Sequence, residues 1–275
     1  MIIPEPFYSA RPIWADHALF AVLAVLFPVR AGLFGFRRLR RAPEHDVPRV
    51  RRLLYRQAIA IQWTLTAIAI ALWIARSRPW AALGFVPRFD SLALGCLAAS
   101  MMVVAFVIWQ RVRTLRSDEA LGHVREHLEH VERMLPRRPD ELRRFYRLSI
   151  TAGVCEEVLY RGYLIWYLGH ALPLWPAVVA AALLFGFGHL YQGVRGMITT
   201  FVVGLVFGAL YVGTGAIWLP MVLHALADAH SGHLAYVAYA REEAALAEAA
   251  ALGALPSFEA PPSTASPTPP EIGSV

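Results

Sequence analysis

Two adjacent carboxylates and an arginine interrupt a stretch that is otherwise apolar enough to cross a membrane. The segment, residues 155–161, reads C-E-E-V-L-Y-R and lies inside an apolar run over about 145–168. An ionisable side chain at bilayer depth costs about 2.5–3.5 kcal/mol on insertion scales, so it marks a site rather than a solvated surface. Glu157 and Arg161 are four residues apart. On a helix they share a face and neutralise each other, with the acid on the favoured N-terminal side. Glu156 stands about 100° further round and lacks that partner; its neighbours on its own face are Gly153 and Tyr160. One glutamate therefore reads as structural and the other as free for chemistry.

Composition supports the membrane setting. Of 275 residues, 57% are hydrophobic and 17% are charged, whereas soluble proteins carry about 25% charged residues. The net charge is +6 and all 26 basic residues are arginine. The missing lysines read as the coding bias of a GC-rich, bacterial genome rather than as mechanism. Because the arginines sit in loops beside apolar runs, they carry topology information and argue against a nucleic-acid partner. Cys96 and Cys155 both lie within apolar runs, which excludes a disulfide framework or a cysteine metal site. Pro4, Pro6, Arg11 and Asp16 precede the first apolar run without a cleavable-signal pattern.

Apolar runs over about 17–36, 57–75, 91–109, 145–168, 177–190, 196–212 and 216–237 predict an all-α, polytopic membrane helix bundle of about seven transmembrane helices. Pro220 is expected to interrupt the last, and the alanine-rich stretch after Arg241 leaves room for an eighth. Between the third and fourth, Leu121, Val124, Leu128, Val131 and Leu135 form the apolar stripe of an amphipathic helix over 117–135, started by Ser117 and Asp118. That stripe is expected on the membrane surface or against another helix. His123, His127 and His130 share its polar face and read as a solvated surface in preference to a metal site. Gly204 and Gly208 make a small-residue face for ordinary close helix packing. The domain reading is a three-span region over 1–110, a cytoplasmic amphipathic helix and linker over 111–144, and a site-bearing helical core over 145–240. An alanine-rich helix and a disordered Pro/Ser/Thr tail from Pro256 complete it over 241–275. Arginine-rich loops after the first and third runs put the N-terminus outside and the tail inside, in the cytoplasmic membrane of a bacterium.

Glu156 lies about 16 Å into its span from the cytoplasmic side. On the same topology His189, near one end of the fifth run, and His224 and Asp228, four apart on the seventh, fall between the membrane middle and the cytoplasmic face. Four ionisable groups at compatible depth define one candidate site. At this point E-E-V-L-Y-R (156–161), F-G-F-G-H (185–189) and H-A-L-A-D (224–228) match the ordered motifs EExxxR, FxxxH and HxxxN/D. Each motif alone is weak, but in this order on successive spans they resemble the CPBP family, the CAAX-processing and bacteriocin-processing (Abi) intramembrane endopeptidases, over roughly 145–237.

The resemblance implies an all-helical endopeptidase that opens to the cytoplasm and cleaves a membrane-associated protein or peptide. In that reading Glu156 and His189 activate water, His224 and Asp228 stabilise the oxyanion, and Glu157 with Arg161 supports the site. The chemistry is independently sound: peptide hydrolysis needs a base for water and donors aimed at the developing oxyanion. Where prenyl-protein proteases carry asparagine, this chain has Asp228. An ionised aspartate donates no hydrogen bond, which leaves it protonated, orienting His224 as an acceptor, or binding a metal. No cofactor is required. A divalent metal such as zinc is compatible with Glu156, His189, His224 and Asp228 by ligand type, though the spacing of zinc peptidases is absent. The competing reading is a non-proteolytic multi-pass membrane protein, either a proton-coupled transporter or an immunity or scaffold protein. The lack of an internal repeat and the intact motifs favour the protease. Substrate identity, any need for prenylation and oligomeric state are open at this level.

Overall fold

The run that carries the two glutamates becomes the most deeply enclosed segment of the fold. The structure, a computed structural model, describes residues 11–26, 28 and 36–252. Among them there are helices and turns and no strand. Helix α1 (Trp14–Ala21) continues as a π-turn over Val22–Leu26, and a short α2 (Arg37–Arg41) follows. Then come α3 (Val47–Ala75), α4 (Ser91–Thr114) and α5 (Asp118–Leu128). Helix α6 (Pro139–Glu156) passes without a break into a π-helical segment, Glu157–Leu164, and a final α-helical turn, α7 (Ile165–Leu168). Three more complete the chain: α8 (Leu174–Gly188), α9 (Gly193–Thr214) and α10 (Trp218–Ala251).

Local chemistry explains the boundaries. Pro48 sits in the first turn of α3, where its missing N–H is not needed. The Asp90 carboxylate accepts from the amide of Ala93 at 2.8 Å and starts α4. Gly215, at φ 68°, ends α9 in the left-handed conformation that glycine adopts without steric cost. Pro220, expected to interrupt the last span, instead lies in the first turn of α10. At that position the N–H has no partner inside the helix in any case, so the helix runs on unbroken.

The helical bundle agrees with expectation, while the helices differ in how openly they declare themselves as spans. The helices over Glu44–Ala75, Ser91–Thr114 and Leu190–Thr214 are long and apolar enough to cross a membrane, and Trp14–Leu26 and Leu174–Gly188 are shorter apolar helices. The helix carrying Glu156, Glu157 and Arg161 and the one carrying His224 and Asp228 are diluted by those residues. Part of the first expected span and the Pro/Ser/Thr tail lie outside the described residues.

The main apolar core among the described residues is built round the π-helical segment. Val158, Leu159, Tyr160, Tyr163, Leu164, Ile165 and Trp166 are all buried. Leu65, Ala69 and Trp73 of α3, Val178, Ala181 and Phe185 of α8, and Tyr211 and Val212 of α9 close over them. A Cβ on Gly208 would come within 2.7 Å of Val178, so the glycine face of α9 is what lets α8 approach. Two buried ion pairs tie the N-terminal helices to this core. Asp16 and Arg78 pair at 2.6 Å with both side chains fully enclosed, and the Tyr163 hydroxyl donates to Asp16 at 3.0 Å. The Arg78 guanidinium also stacks 4.2 Å from the Trp166 ring centre. At the other end of α3, Arg51 pairs with Glu141 of α6 at 2.6 Å.

Ser117 caps α5 as expected, accepting from Ala120 N–H at 3.2 Å. The amphipathic stretch then tightens into a 3-10 turn over Glu129–Met134 instead of remaining one helix. Its stripe is covered by protein: Leu128, Val131 and Leu135 pack with Phe145, Ala235 and Tyr239. Of the two expected placements, the structure takes the one against other helices. From Arg241 onward α10 belongs to a second compact unit, which is alanine-rich as far as Ala251.

Breaking a buried ion pair by removing one partner strands the other charge, at a cost of about 3–5 kcal/mol. Arg78→Ala is therefore expected to lower the unfolding temperature of the detergent-solubilised protein sharply, while Asp16→Leu combined with Arg78→Met recovers most of the loss. An Arg78→Ala protein as stable as wild type would remove this pair from the account of how α1 is held.

Candidate active site

The wider π turn begins at the second glutamate of the pair, and it sets how the two acids face. Glu157 points into protein and is fully enclosed. Its Oε1 accepts from Arg161 Nη1 at 2.8 Å, the pairing expected from their spacing. The same oxygen also accepts from His224 Nδ1 at 2.8 Å. A carboxylate offers no proton, so Nδ1 must be the donating nitrogen, and Nε2 is the one turned to the remaining groups. Arg161 is held from its other side by the Gly204 carbonyl at 3.5 Å and lies over the rings of Phe185 (4.3 Å) and Phe207 (5.5 Å). π-Bulges occur frequently at functional sites because they re-aim side chains within a continuous helix. Here the bulge carries the motif itself.

Glu156 faces a different environment. It is buried, and its Oε1 accepts from the side-chain amide of Gln62 at 2.8 Å. Its Oε2 is enclosed and has no hydrogen-bond partner. His224 Nε2 lies 3.8 Å from that oxygen. Asp228 Oδ2 stands at the same 3.8 Å from His224 Nε2, beyond hydrogen-bond length. Its side chain is 42% exposed, so Asp228 is at the mouth of the cluster while Glu156, Glu157 and His224 form its floor. His224 is thus oriented by Glu157 through Nδ1, and the acceptor role open to Asp228 is taken by another residue.

His189 enters from α8. Its Nδ1 lies 2.8 Å from the Phe185 carbonyl, which fixes the ring and leaves Nε2 for proton transfer. Phe185 brings the two histidines to one aromatic wall, with ring centres 4.8 Å from His189 and 6.0 Å from His224. Tyr160 packs edge-on against the same ring at 5.0 Å. Of the four candidates identified from sequence, Glu156 and Asp228 each stand 3.8 Å from His224 Nε2, and His189 joins His224 at the shared Phe185 ring. Tyr191, tilted against the His189 ring at 5.8 Å between centres, lines a cavity of about 560 Å³ together with Arg40, Arg133, Glu129, Glu132 and Gln192.

Packing brings α10 close enough for these contacts. A Cβ on Gly153 would come within 2.7 Å of the Met221 carbonyl and 2.8 Å of Ala225, so only glycine admits α10 at this distance. The expectation that Gly153 borders Glu156 on its face thereby acquires a reason: it is where the helix bearing His224 comes nearest.

Gln62 is the residue that motif reasoning missed. It lies on α3, outside the part of the chain carrying the motifs. The signal available was an amide in an otherwise apolar run, which needs a partner once buried. Which partner is a tertiary fact.

Among the described residues no group of three or more His, Cys, Asp or Glu stands in ligand geometry. His189 and His224 each turn Nδ1 to another acceptor, and His224 Nε2 is 3.8 Å from both carboxylates it faces. The histidines of α5 are also spread out: His123 pairs with Glu126 at 3.3 Å and His127 with Arg195 at 3.3 Å.

No curated protein and no solved structure matches this chain. A family model does: Type II CAAX prenyl endopeptidase Rce1-like, over residues 139–230. The match covers α6 to the middle of α10 and every candidate catalytic residue, leaving out α1 to α5. Through that segment, which holds the buried glutamate pair and both histidines, the chain is similar to the CAAX-type intramembrane proteases of that family.

Proposed function

We propose that this protein is an intramembrane endopeptidase that cleaves a membrane-associated protein or peptide with Glu156 as the base. One observation carries the reading. Glu156 has one oxygen anchored by the neutral amide of Gln62 and the other enclosed without a hydrogen-bond partner, opposite His224 Nε2, whereas Glu157, whose Oε2 is likewise unpartnered, has its charge matched by Arg161 and His224. A buried polar atom without a partner is costly, and in a native site it signals a group that meets its partner during function. Water is that partner here. Glu156 Oε2 takes its proton as the water oxygen bonds to the peptide carbonyl carbon, and His189 Nε2 relays that proton from Glu156 to the leaving amine as the C–N bond breaks, which returns Glu156 to the carboxylate. His224, held through Nδ1 by Glu157, carries a second proton on Nε2 and donates it as a hydrogen bond to the tetrahedral oxyanion. Arg161 offsets the charge of Glu157 so that the imidazolium is matched and not overwhelmed. Asp228 is exposed at the mouth and joins His224 as a donor only when protonated.

No step requires a metal, and a strong chelator is expected to leave turnover unchanged in protein shown to be metal-free. The substrate class is C-terminal processing of a membrane-associated protein, or removal of a bacteriocin-type leader. The peptide approaches from the side of the cavity lined by Tyr191, which positive-inside bias places at the cytoplasmic face of a bacterial inner membrane.

Comparing the termini of membrane proteins in cells expressing wild type or Glu156→Gln tests the reading. Wild type should release at least one product that the variant does not. Glu156→Gln should fold normally and lose about 10²–10⁴-fold in turnover, whereas Glu157→Gln should mainly lose folded protein, since it unpairs a buried arginine at about 3–5 kcal/mol. The reverse pattern would exchange the roles of the two acids. At the mouth, Asp228→Asn supplies a permanent donor and should keep turnover within about threefold of wild type, while Asp228→Leu should lose about 10²-fold. If Asp228→Asn is as inactive as Asp228→Leu, the ionised carboxylate itself is required.

A further inference from the structure

Away from the active site, α3 and α6 enclose a second cavity, about 300 Å³ in volume, with a lining of unusual composition: Arg49, Arg52, Arg56 and Arg144, with Leu53 as the one apolar contributor. No carboxylate lines it. Glu141 Oε2 is taken up by Arg51 at 2.6 Å and by the amide of Arg137 at 3.0 Å, and its Oε1 lies 3.8 Å from Arg52, beyond hydrogen-bond length, so this carboxylate offsets at most one of the four arginines. Arg144 Nε is enclosed and has no hydrogen-bond partner. Four guanidinium groups gathered in one pocket repel each other unless an anion joins them, and guanidinium binds phosphate oxygens through paired donors.

The surroundings indicate which anion. Arg49, Arg52 and Arg56 recur at helical spacing on one stripe of α3, and seven residues beyond Arg56 on that stripe is Trp63. Seven residues beyond Arg144 on α6 is Thr151, and the Trp63 indole N–H donates to its hydroxyl at 3.2 Å. The seam between the helices thus continues from the arginines to Trp63, about 10 Å further along the axis. Trp63 is 48% exposed on a helix long and apolar enough to cross the membrane, and Ile68 and Ile74 are exposed beyond it. Such a ring belongs at the boundary of headgroups and acyl chains. Cations at one level and an exposed aromatic and aliphatic track one headgroup depth below fit a phospholipid, and basic pockets between transmembrane helices are a recurrent way to hold anionic headgroups.

We infer that the arginine pocket between α3 and α6 binds the phosphate of an anionic membrane phospholipid, with an acyl chain lying along Trp63. The lipid would brace the helix that supplies Gln62 against the helix that supplies Glu156, which makes it a structural ligand of the protein and no part of its chemistry.

Native mass spectrometry of the full chain, released from detergent after incubation with defined lipids, tests this directly. Wild type should retain phosphatidylglycerol at least tenfold better than phosphatidylcholine of the same chain length. The triple variant Arg49→Gln/Arg56→Gln/Arg144→Gln should lose that preference, at about fivefold per arginine removed. The control for folding is its unfolding temperature in phosphatidylcholine, which should equal that of wild type. If it does not, the single variants Arg49→Gln and Arg56→Gln, both on exposed residues, replace it and should each weaken retention. Equal retention of the two lipids by wild type, or a preference unchanged in the variants, overturns the proposal. So does displacement of the lipid by inorganic phosphate or by an aspartate-rich peptide at equal concentration, which would make the pocket a site for soluble anions or acidic protein.

Discussion

The Glu157 carboxylate is the interaction on which the rest of this structure depends. It is fully enclosed, and one of its oxygens accepts from both Arg161 and His224. A buried anion survives only when matched by charge and hydrogen bonds, and matching this one ties the π segment to α10 through His224. Arg161 extends the tie to α9 through the Gly204 carbonyl and to α8 through the Phe185 ring. Three helices are thus referenced to one side chain. Orientation of the His224 imidazole follows from that anchor.

Placing two carboxylates next to each other in the chain creates a division of labour because the π turn sends them into unlike surroundings. Glu157 meets cations. Glu156 meets one neutral amide, from Gln62, while each acid keeps one oxygen without a partner. A neutral amide fixes the geometry of a carboxylate without cancelling its charge, which suits a base better than an ion pair would. Gly153 belongs to the same arrangement, since the absence of a side chain there is what admits α10 and with it His224. The N-terminal helices, although outside the family match, are therefore part of the site: α3 brings Gln62, and the Asp16–Arg78 pair and the Arg51–Glu141 pair hold α1, α3 and α6 to the core.

Much of this was readable from residues alone. The Glu157–Arg161 pair followed from a spacing of four, and the separate status of Glu156 from its lack of such a partner. His189, His224 and Asp228 were legible because an ionisable group in an apolar run is expensive and needs a reason. Spacing arguments assume α-helical geometry, however, and the segment over Glu157–Leu164 is π-helical, so the faces of the two acids differ from those an ideal helix would give. Pro220 was read as an interruption because its position relative to a helix start depends on where the preceding turn ends. The amphipathic stripe of residues 117–135 is the same in sequence whether it meets lipid headgroups or a helix; contact with Ala235 and Tyr239 decided it.

The sequence by itself determined that this chain is a membrane helix bundle with one cluster of ionisable groups, because hydropathy and charge are local properties that bilayer energetics read directly. It also carried the resemblance to CAAX-type proteases, since the three motifs are short and ordered. Only the tertiary structure decided which groups satisfy one another: that His224 turns Nδ1 to Glu157, that Gln62 holds Glu156, and that Asp228 stands exposed at the rim. Those pairings join residues far apart in the chain, and a hydrogen bond between distant residues depends on how helices pack, which no local pattern encodes.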